Sequence, residues 1–498
     1  MSYIDRQSNR ESLIWLSRTV NALSLLALPL FIAVAQDAVS PPQVLYPIPS
    51  NSQLAWHEME MNAFVHFSIN TFTDKEWGDG SEDPALFNPT EINPEQWVGV
   101  FKDAGFKGVI LTCKHHDGFC VWPSALTDHS IKNSPYKLGK GDVVRDVSEA
   151  CQRSGLKFGI YVSPWDRNSG AYGTPAYVQF YRNQLQELFS HCGPIFEMWF
   201  DGANGGNGYY GGARETRRVP IETYYDWPNT LDLVRSWNPD VLFFSDAGPG
   251  VRWCGNEQGI AGETNWCTFS NDTIYAGKGG IEELLNTGME QGNKWIPAEV
   301  DVSIRPGWFY HPQEDTLVKS ADKLFEIYLS SVGRGSTLLL NVPPDRRGLI
   351  HEHDIRALKG LKAIINREFQ TNLALHAEVK ASSYRGSSSL YAPSNLTDGN
   401  KETYWATDDS VRSASTEFLL GSPRQVRYVI LQEYLQLGQR IRRFTVEAGK
   451  GDGWTVIGQG TTVGYKRILR FDKVETDRVR ITINDAKAAP VLSNVEIY

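Results

Sequence analysis

The sequence predicts an α/β fold, a (β/α)8 TIM-like barrel followed by a C-terminal antiparallel β-sandwich. The chain has 498 residues, which is enough for two or more domains. Between residues 60 and 366, short β-rich runs alternate with amphipathic stretches about eight times, as expected for a parallel barrel. After residue 370 the strand-like pattern continues without any long helical pattern. A doubly wound parallel sheet is the alternative for the first part.

Each predicted strand is a β-rich run, and each predicted helix is an amphipathic segment. In chain order the strands are predicted at 63–69, 108–114, 157–163, 195–200, 241–245, 263–269, 296–302 and 337–342. The helices are predicted at 94–104, 143–154, 176–189, 230–237, 317–332 and 353–366. The strand units at 263–269 and 296–302 are the least regular. Together these elements place the barrel at residues 45–368.

The C-terminal region, residues 372–498, has a different pattern. Segments such as 426–431 and 478–483 alternate in the manner of half-buried strands, and turn residues separate them. This region is therefore predicted to be an antiparallel β-sandwich of about 125 residues.

The composition limits the classes of partner. Hydrophobic residues make up 41% of the chain and charged residues 21%, so neither disorder nor a polytopic membrane protein is indicated. The 49 Lys and Arg against 58 Asp and Glu give a net charge of −9, which argues against nucleic acid or anionic lipid as the main partner. The 15 Trp and 21 Tyr residues suit a large core, and they also suit sugar binding, in which flat rings stack on pyranose C–H faces.

Residues 1–35 are predicted to be a secretory signal peptide. Arg6, Arg10 and Arg18 precede an apolar run at 20–35, which ends in small residues that suit cleavage. A signal anchor and a cytosolic leader are the alternatives, but the run is short for a membrane span and contains polar residues. The mature protein is expected to be secreted, extracellular or apoplast-like, with no membrane segment.

Six cysteines follow no zinc-site spacing. In an oxidising compartment they allow one or two disulfide bridges, whose pairing the sequence does not assign. Acceptor sequons at Asn271 and Asn395 predict a glycoprotein if the secretory route is eukaryotic.

Polar and aromatic residues follow the predicted barrel strands at the point where each strand ends. In parallel barrels this end carries the active site. Side chains from different strands are therefore expected to meet in one polar pocket with aromatic walls. These residues include His66, His115, His116, Asp117, Tyr161, Trp165, Asp166, Trp199, Asp201, Asp246 and Glu257.

Three plainer explanations apply to single members of this set. His115, His116 and Asp117 suit a metal site, although further ligands would have to come from elsewhere and no zinc-protease helix spacing is present. Asp246 taken alone suits a helix cap. Trp199 taken alone suits the core. The convergence of many such residues on one face favours a functional pocket.

A pocket of this kind suits glycoside hydrolysis, in which retaining enzymes hold two carboxyl groups about 5–5.5 Å apart. One group is ionised and attacks the anomeric carbon, and the other protonates the leaving oxygen. Asp201 follows a rigid strand beside aromatic residues, so it is the predicted nucleophile. The acid is expected on a mobile loop, where partial burial near Asp201 raises its pKa. Glu257 and Glu263 both qualify by position.

Several short motifs occur in a fixed order along residues 45–498. They include His66-Phe67, Glu76-Trp77-Gly78, His115-His116-Asp117-Gly118-Phe119, Trp199-Phe200-Asp201-Gly202-Ala203, Gly255-Asn256-Glu257 and Gly307-Trp308. In this order they resemble the α-L-fucosidase family of retaining glycoside hydrolases, and within it the plant-type, α-1,3/4-specific branch.

The resemblance implies a double displacement with Asp201 as nucleophile and with Glu257, rather than Glu263, as acid/base. It also implies that several side chains hold the fucose hydroxyls and ring face. These are His66, Glu76, Trp77, His115, His116, Tyr161, Trp199 and Trp308. No metal and no cofactor are expected, because two carboxyl groups carry the chemistry. The C-terminal domain is expected to be a discoidin-like accessory domain that either binds glycan or braces the barrel.

The implied activity is exo-acting hydrolysis of terminal α-1,3/4-linked L-fucose from branched oligosaccharides or glycoproteins, so the expected partner is a fucosylated glycan. A Gly-, Tyr- and Arg-rich segment at 205–223 borders the leaving-group side and is expected to reshape the site for the rest of the glycan. Two alternatives remain open, a weakly catalytic fucose-binding protein on the same scaffold and a glycosidase for another sugar. No oligomeric state is predicted.

Overall fold

A computed structural model describes residues 39–498 of the chain. The predicted signal peptide at 1–35 lies outside the described residues. Within the part that the structure describes, no helix combines the length and the apolar character needed to cross a membrane.

Eight parallel strands close into a barrel, so the barrel prediction is confirmed and the doubly wound alternative is wrong. The strands are β1 Met61–Val65, β2 Gly108–Lys114, β3 Lys157–Val162, β4 Ile195–Trp199, β5 Leu242–Ser245, β6 Val251–Trp253, β7 Ala298–Ser303 and β8 Thr337–Asn341. They follow one another around the barrel in chain order, and β8 closes it by pairing with β1. Every residue of β1, β2, β7 and β8 is buried, which explains their nearly continuous apolar sequence.

Helices connect most of the barrel strands. The α-helices of the described residues are α1 Asn51–Met59, α2 Ile69–Thr73, α3 Pro94–Ala104, α4 Val143–Ser154, α5 Pro175–His191, α6 Trp227–Trp237, α7 Glu282–Thr287, α8 Ala321–Ser330 and α9 Glu352–Glu368. Local sequence sets their ends. At α3, Asn93 caps the first turn by accepting from the N–H of Gln96, and Gly105 ends the helix with a φ of 98°.

The sixth strand lies elsewhere than predicted. The segment 263–269 is outside the barrel, where Thr268–Phe269 pairs antiparallel with Lys294–Trp295, and β6 occupies the sixth barrel position. The sequence pattern does not reveal β6, because this strand has only three residues and Arg252 is at its centre. The Arg252 guanidinium is fully buried and donates to three backbone carbonyls, an arrangement that hydrophobicity cannot signal.

The first strand is also displaced from its predicted position at 63–69. It ends at Val65, and α2 begins at Ile69. Phe67 and Ile69 are fully buried in the core although they lie beyond the strand. The apolar run therefore continues past the strand and conceals its end.

The C-terminal domain is antiparallel β-structure, as the sequence predicts. Its strands are β9 Glu378–Ala381, β10 Trp405–Ala406, β11 Ala414–Gln432, β12 Ile441–Lys450, β13 Gly453–Gly460, β14 Arg467–Ala486, β15 Val491–Leu492 and β16 Asn494–Ile497. The main sheet has the order β9-β11-β14-β12-β13, with β16 also paired to β11, and β10 pairs with β15. Its own buried cluster is separate from the barrel core.

The barrel and the C-terminal domain share an apolar contact. Tyr428, Ile430 and Ile468 of the domain belong to the same buried cluster as the barrel side chains. An ion pair between Glu263 and Arg467 at 2.6 Å lies at this contact. The two parts are therefore packed directly against each other.

All six cysteines, which lie within residues 39–498, are free thiols, so the structure contains none of the disulfide bridges that secretion would allow. Burial raises the pKa of the Cys113 thiol well above its usual value, which keeps it protonated. At the second sequon, the Asn395 amide donates to the carbonyls of Leu390 and Tyr404 at 2.9 and 3.0 Å. A glycan on that nitrogen would remove one of these hydrogen bonds.

Candidate active site

A cavity of about 360 Å³ opens at the C-terminal end of the barrel, in the size range of small-molecule sites. Its lining side chains are Phe64, His66, Trp77, His115, His116, Tyr161, Trp199, Asp201, Ala203, Glu257, Asp301 and Trp308. The structure thus brings together all the site residues that the family resemblance implies except Glu76. Four other residues predicted at the strand ends do not line the cavity, namely Asp117, Trp165, Asp166 and Asp246.

Asp201 lies just beyond the end of β4, and its side chain is 23% exposed. Its Oδ2 accepts from the Tyr161 hydroxyl at 2.8 Å, and its Oδ1 accepts from the N–H of Ala203 at 2.7 Å. The Nε2 atom of His116 lies 3.9 Å from Oδ2. Both hydrogen bonds fix the orientation of the carboxyl group. A carboxylate nucleophile requires such a fixed orientation.

His66 presents a neutral hydrogen-bond acceptor at the cavity. Its Nδ1 lies 2.9 Å from Oδ1 of Asn341. The Asn341 amide nitrogen donates to the Trp308 carbonyl at 2.8 Å, so Oδ1 accepts and the Nδ1 atom of His66 carries the proton. Burial lowers the pKa of His66 to about 4. The ring is therefore uncharged, and its Nε2 has a free lone pair.

His116 has the same tautomer for a different reason. Its Nδ1 lies 2.7 Å from the Ser163 hydroxyl oxygen, and that hydroxyl donates to the Trp165 carbonyl at 2.7 Å. The hydroxyl has one proton, so Nδ1 of His116 donates and Nε2 accepts. Burial lowers the pKa of His116, and it lowers that of His115 well below its usual value. The cavity therefore contains neutral imidazoles, which suit hydroxyl groups.

Aromatic rings complete the wall. Trp199 stacks on Phe244 with ring centroids 3.8 Å apart and donates its indole N–H to Glu299 at 3.0 Å. Trp199 is thus a core residue that also lines the cavity. Trp77, by contrast, is 54% exposed and stands edge-on to His116 at 5.1 Å. The wall combines one rigid aromatic face with one exposed ring.

The structure separates the two candidate acids. Glu257 lines the cavity, and its Oε2 accepts from the Trp308 indole N–H at 3.3 Å. Partial burial raises the pKa of Glu257, and the charge of Asp201 adds to this, against the opposite effect of the Trp308 N–H. Glu263 instead pairs with Arg334 and Arg467 at the contact with the C-terminal domain. Of the two, Glu257 lies at the cavity.

Glu76 does not form the cavity wall in this structure. Its Oε2 accepts from the N–H of Trp308 at 2.8 Å, and its Oε1 accepts from the N–H of Phe309 at 3.1 Å. Oε1 also lies 2.7 Å from Nε2 of His311. These contacts anchor the segment that carries Trp308, so Glu76 positions the wall.

Asp301 also lines the cavity, and it is not among the residues predicted from the sequence. It lies two residues after Glu299 on β7, so both side chains point into the barrel. Its Oδ1 accepts from the Trp253 indole N–H at 2.8 Å. Burial raises the pKa of Asp301 well above its usual value, and the charge of Glu257 adds to this, so the carboxyl is protonated. The sequence does contain a signal for Asp301, because two acidic residues at alternate positions of a strand that is otherwise apolar are unusual in a core.

The plainer explanation for Asp246 does not fit. Asp246 caps no helix, because a loop joins β5 to β6, and its Oδ2 accepts from the N–H of Gly277 at 2.7 Å. Burial raises the pKa of Asp246 to about 6. Across residues 39–498, no group of three or more His, Cys, Asp or Glu side chains could hold a metal ion. Asp117 instead accepts from the N–H of Phe119 at 2.7 Å.

The sequence matches two family models. The model described as Alpha-L-fucosidase covers residues 42–368, and the model described as F5/8 type C domain covers residues 378–497. Alpha-L-fucosidase 1 of Arabidopsis thaliana is 41% identical to this chain over 463 residues, which cover 92% of this chain and 88% of the relative.

Solved structures agree with this match. A putative alpha-L-fucosidase from Bacteroides thetaiotaomicron has a TM-score of 0.85 and 41% identity, with 92% of this chain and 99% of that chain covered. A GH29 fucosidase of Ruminococcus gnavus in complex with fucose has a TM-score of 0.82 and 33% identity, with 92% and 96% covered.

Proposed function

The chain belongs to the α-L-fucosidase family of glycoside hydrolases, and from this premise we propose that it acts on terminal fucose by a retaining double displacement. Hydrolysis of α-L-fucosides follows from the family. The proposed substrate is α-1,3/4-linked L-fucose at the ends of branched oligosaccharides or glycoproteins. One observation carries the mechanism: an oriented carboxylate, Asp201, and a carboxyl of raised pKa, Glu257, line the same cavity.

In the first step, Asp201 attacks the anomeric carbon and forms a glycosyl ester as the glycosidic C–O bond breaks. Glu257 gives its proton to the departing oxygen. The raised pKa of Glu257 keeps that proton available, and the Tyr161 hydroxyl orients Asp201 before attack.

In the second step, water attacks the same carbon from the face that the leaving group vacated. Glu257, now ionised, takes a proton from this water, and the ester bond to Asp201 breaks. Two inversions at one carbon retain the α configuration, so the first product formed is α-L-fucose.

Fucose recognition is assigned to the neutral imidazoles and the aromatic wall. His66 and His116 accept hydrogen bonds from ring hydroxyls through Nε2. Phe64 and Trp199 offer apolar surface to the sugar ring and its C6 methyl group. Galactose has a hydroxymethyl group in place of the C6 methyl group of fucose. Burying that hydroxyl without a hydrogen-bond partner would disfavour the binding of galactose.

The fucosylated substrate has indirect support, because the similar Ruminococcus gnavus fucosidase holds fucose in its structure. The linkage preference depends on what lies beyond the cavity. There the segment 205–223 contains a hairpin of Gly206–Gly208 and Glu215–Arg217. Ala203 of the cavity wall lies two residues before this segment, and on this basis the hairpin is proposed to select the rest of the glycan.

Secretion is part of the same proposal. Its basis is the signal-peptide pattern at 1–35. Expression of the full chain in a secreting host should release protein into the medium with an N-terminus near Gln36, which N-terminal sequencing measures. Retention of residues 1–35 in the cell membrane fraction would instead indicate a signal anchor.

We expect fucose release at mildly acidic pH from a Lewis trisaccharide and little from 2′-fucosyllactose or an aryl fucoside. Parallel assays of all three measure it, and NMR of the first product reads its anomeric configuration. Release from all three would contradict the α-1,3/4 preference. Release of β-L-fucose would contradict the double displacement, and binding of fucose without any release would favour a binding protein.

Replacing Trp308 by Phe should move the basic limb of the kcat/KM profile to higher pH. The indole N–H stabilises ionised Glu257, so its loss raises the pKa of Glu257 further. Activity that needs the protonated acid is lost as pH rises through that pKa, and the loss therefore comes later. Trp253→Phe is the matched control, because it also removes an indole N–H from a carboxyl group of the cavity. That carboxyl group is Asp301 and not Glu257. A limb that stays in place or moves down would contradict Glu257 as the acid.

A further inference from the structure

Two polar depressions flank the hairpin of Gly206–Gly208 and Glu215–Arg217. The first, about 370 Å³, has Asp79, Arg167, Asn207 and Glu215 in its wall. The second, about 540 Å³, lies beside it. Tyr209 and Arg214 line both depressions. The two depressions therefore form one continuous surface, here called the hairpin groove.

The hairpin groove begins beside the catalytic cavity. Arg167, in its wall, donates from Nη1 to the carbonyl of Gly78, and the preceding residue, Trp77, lines the cavity. The Arg167 guanidinium also packs over the Trp165 ring, 5.2 Å from its centroid. The Trp165 ring in turn lies 5.2 Å from the ring of His116, which lines the cavity. A sugar attached to the bound fucose would therefore reach the groove.

The two arginines of the groove have no carboxylate partner within residues 39–498. Arg167 donates to the backbone carbonyls of Gly78 and Asn207. The Arg214 guanidinium lies 5.3 Å from the centroid of the Tyr209 ring and makes no hydrogen bond to the described residues. Each guanidinium thus retains N–H donors for a ligand.

The carboxylates around the groove, in contrast, already have partners. Lysine and arginine side chains or backbone N–H groups satisfy each of them. The contacts are Glu82 with Lys75 at 3.2 Å, Asp128 with Lys132 at 3.3 Å, Glu215 with Arg217 at 2.8 Å, Asp79 with the N–H of Ser81 at 2.9 Å and Asp83 with the N–H of Ala85 at 2.9 Å. Backbone N–H groups carry no charge, so Asp79 and Asp83 stay negative. In the first depression, Arg167 and Arg214 outnumber the one carboxylate without a cationic partner, Asp79, so the uncompensated charge there is positive.

The hairpin holds Arg214 in a conformation that costs energy. Arg214 has a φ of 48° and Tyr210 a φ of 44°, in the left-handed region that non-glycine residues rarely adopt. The N–H of Arg214 donates to the carbonyl of Tyr209 at 3.0 Å and helps to hold this turn. Strain of this kind persists where surrounding structure enforces it, and it concentrates at functional sites.

We infer that the hairpin groove binds an anionic substituent, a carboxylate or a sulfate ester, on the sugars that carry the fucose. The inference rests on the proposed function, since it describes the rest of the same substrate. Planar guanidinium groups match the paired oxygens of both anions. The neutral histidines of the cavity hold the uncharged fucose, and Arg167 and Arg214 hold the acidic group beside it.

The test compares kcat/KM on a neutral Lewis trisaccharide with kcat/KM on its 3′-sialyl and 3′-sulfo derivatives. Arg214→Gln should lower the anionic-to-neutral ratio of kcat/KM about tenfold. Arg218→Gln is the matched control, an exposed arginine next to the hairpin that does not line the groove. Added salt should lower the wild-type ratio. A fall confined to the sialyl or the sulfo glycan identifies which acid binds.

An unchanged ratio in Arg214→Gln, or an equal fall in Arg218→Gln, would overturn the inference while the proposed function stands. Failure to hydrolyse the neutral glycan would instead remove the proposed function. In that case, calorimetry with the Asp201→Ala protein still decides. The sialyl or the sulfo glycan should bind more tightly than the neutral one, and adding Arg214→Gln should abolish that difference. Equal affinities before the second substitution would overturn the inference.

Discussion

Replacing Asp201 by Ala should lower kcat at least about a thousandfold on Lewis glycans and aryl fucosides alike. Without the carboxylate, no glycosyl ester forms, so a good leaving group brings no relief. Fucose should still bind, because His66, His116 and Trp199 have their own supports in Asn341, Ser163 and Phe244. Steady-state kinetics and fucose calorimetry measure the two effects separately.

The matched control for this change is Asp246→Asn. Asp246 is another carboxyl near Asp201, at the end of β5, and its Oδ2 accepts from the N–H of Gly277 at 2.7 Å. An asparagine oxygen can accept the same hydrogen bond, so kcat should stay within about tenfold of wild type. If Asp246→Asn loses as much activity as Asp201→Ala, the nucleophile assignment fails.

The barrel could be predicted because its strands are buried on both faces and read as apolar runs between amphipathic helices. β2 is such a run and lies at its predicted position. β6 could not be predicted, because Arg252 is satisfied by carbonyls from distant segments and looks like a surface residue in the sequence. β1 was misplaced because burial continues beyond it to Ile69.

The site could be located from strand ends alone, since a closed barrel brings those ends together whatever the side chains are. Residue types do not distinguish Glu257 from Glu263, which are six positions apart. The difference comes from Arg467, about two hundred residues further along the chain, which holds Glu263 against the C-terminal domain. The position of Glu76 could not be predicted for the same reason. Its carboxylate accepts from the backbone N–H of Trp308, which is distant in the sequence.

Replacing Glu257 by Ala should lower kcat/KM on a Lewis glycan about 10²–10⁴-fold. The effect on an aryl fucoside with an activated leaving group should be much smaller, because that group departs without protonation. The second step then limits turnover, since no base assists water. Azide needs no base and should restore turnover of the aryl fucoside. Parallel kinetics on both substrates, with and without azide, measure this pattern.

Glu263→Ala is the control for Glu257. Its carboxylate pairs with Arg334 and Arg467 outside the cavity, so kcat/KM should change little on either substrate. The loss should appear in thermal stability instead, because two arginines lose a partner at the domain contact. If Glu263→Ala shows the azide rescue and Glu257→Ala does not, the acid/base role belongs to Glu263.

The configuration of the azide product separates the two carboxyl roles in a way that rates alone cannot. In Glu257→Ala, azide attacks the ester on Asp201 from the face that the leaving group vacated, so the product is α-L-fucosyl azide. In Asp201→Ala, azide takes the place of the missing carboxylate on the opposite face, so any product is β-L-fucosyl azide. A double displacement requires opposite configurations from the two variants. The same configuration from both would mean that Asp201 and Glu257 do not act on opposite faces of the sugar.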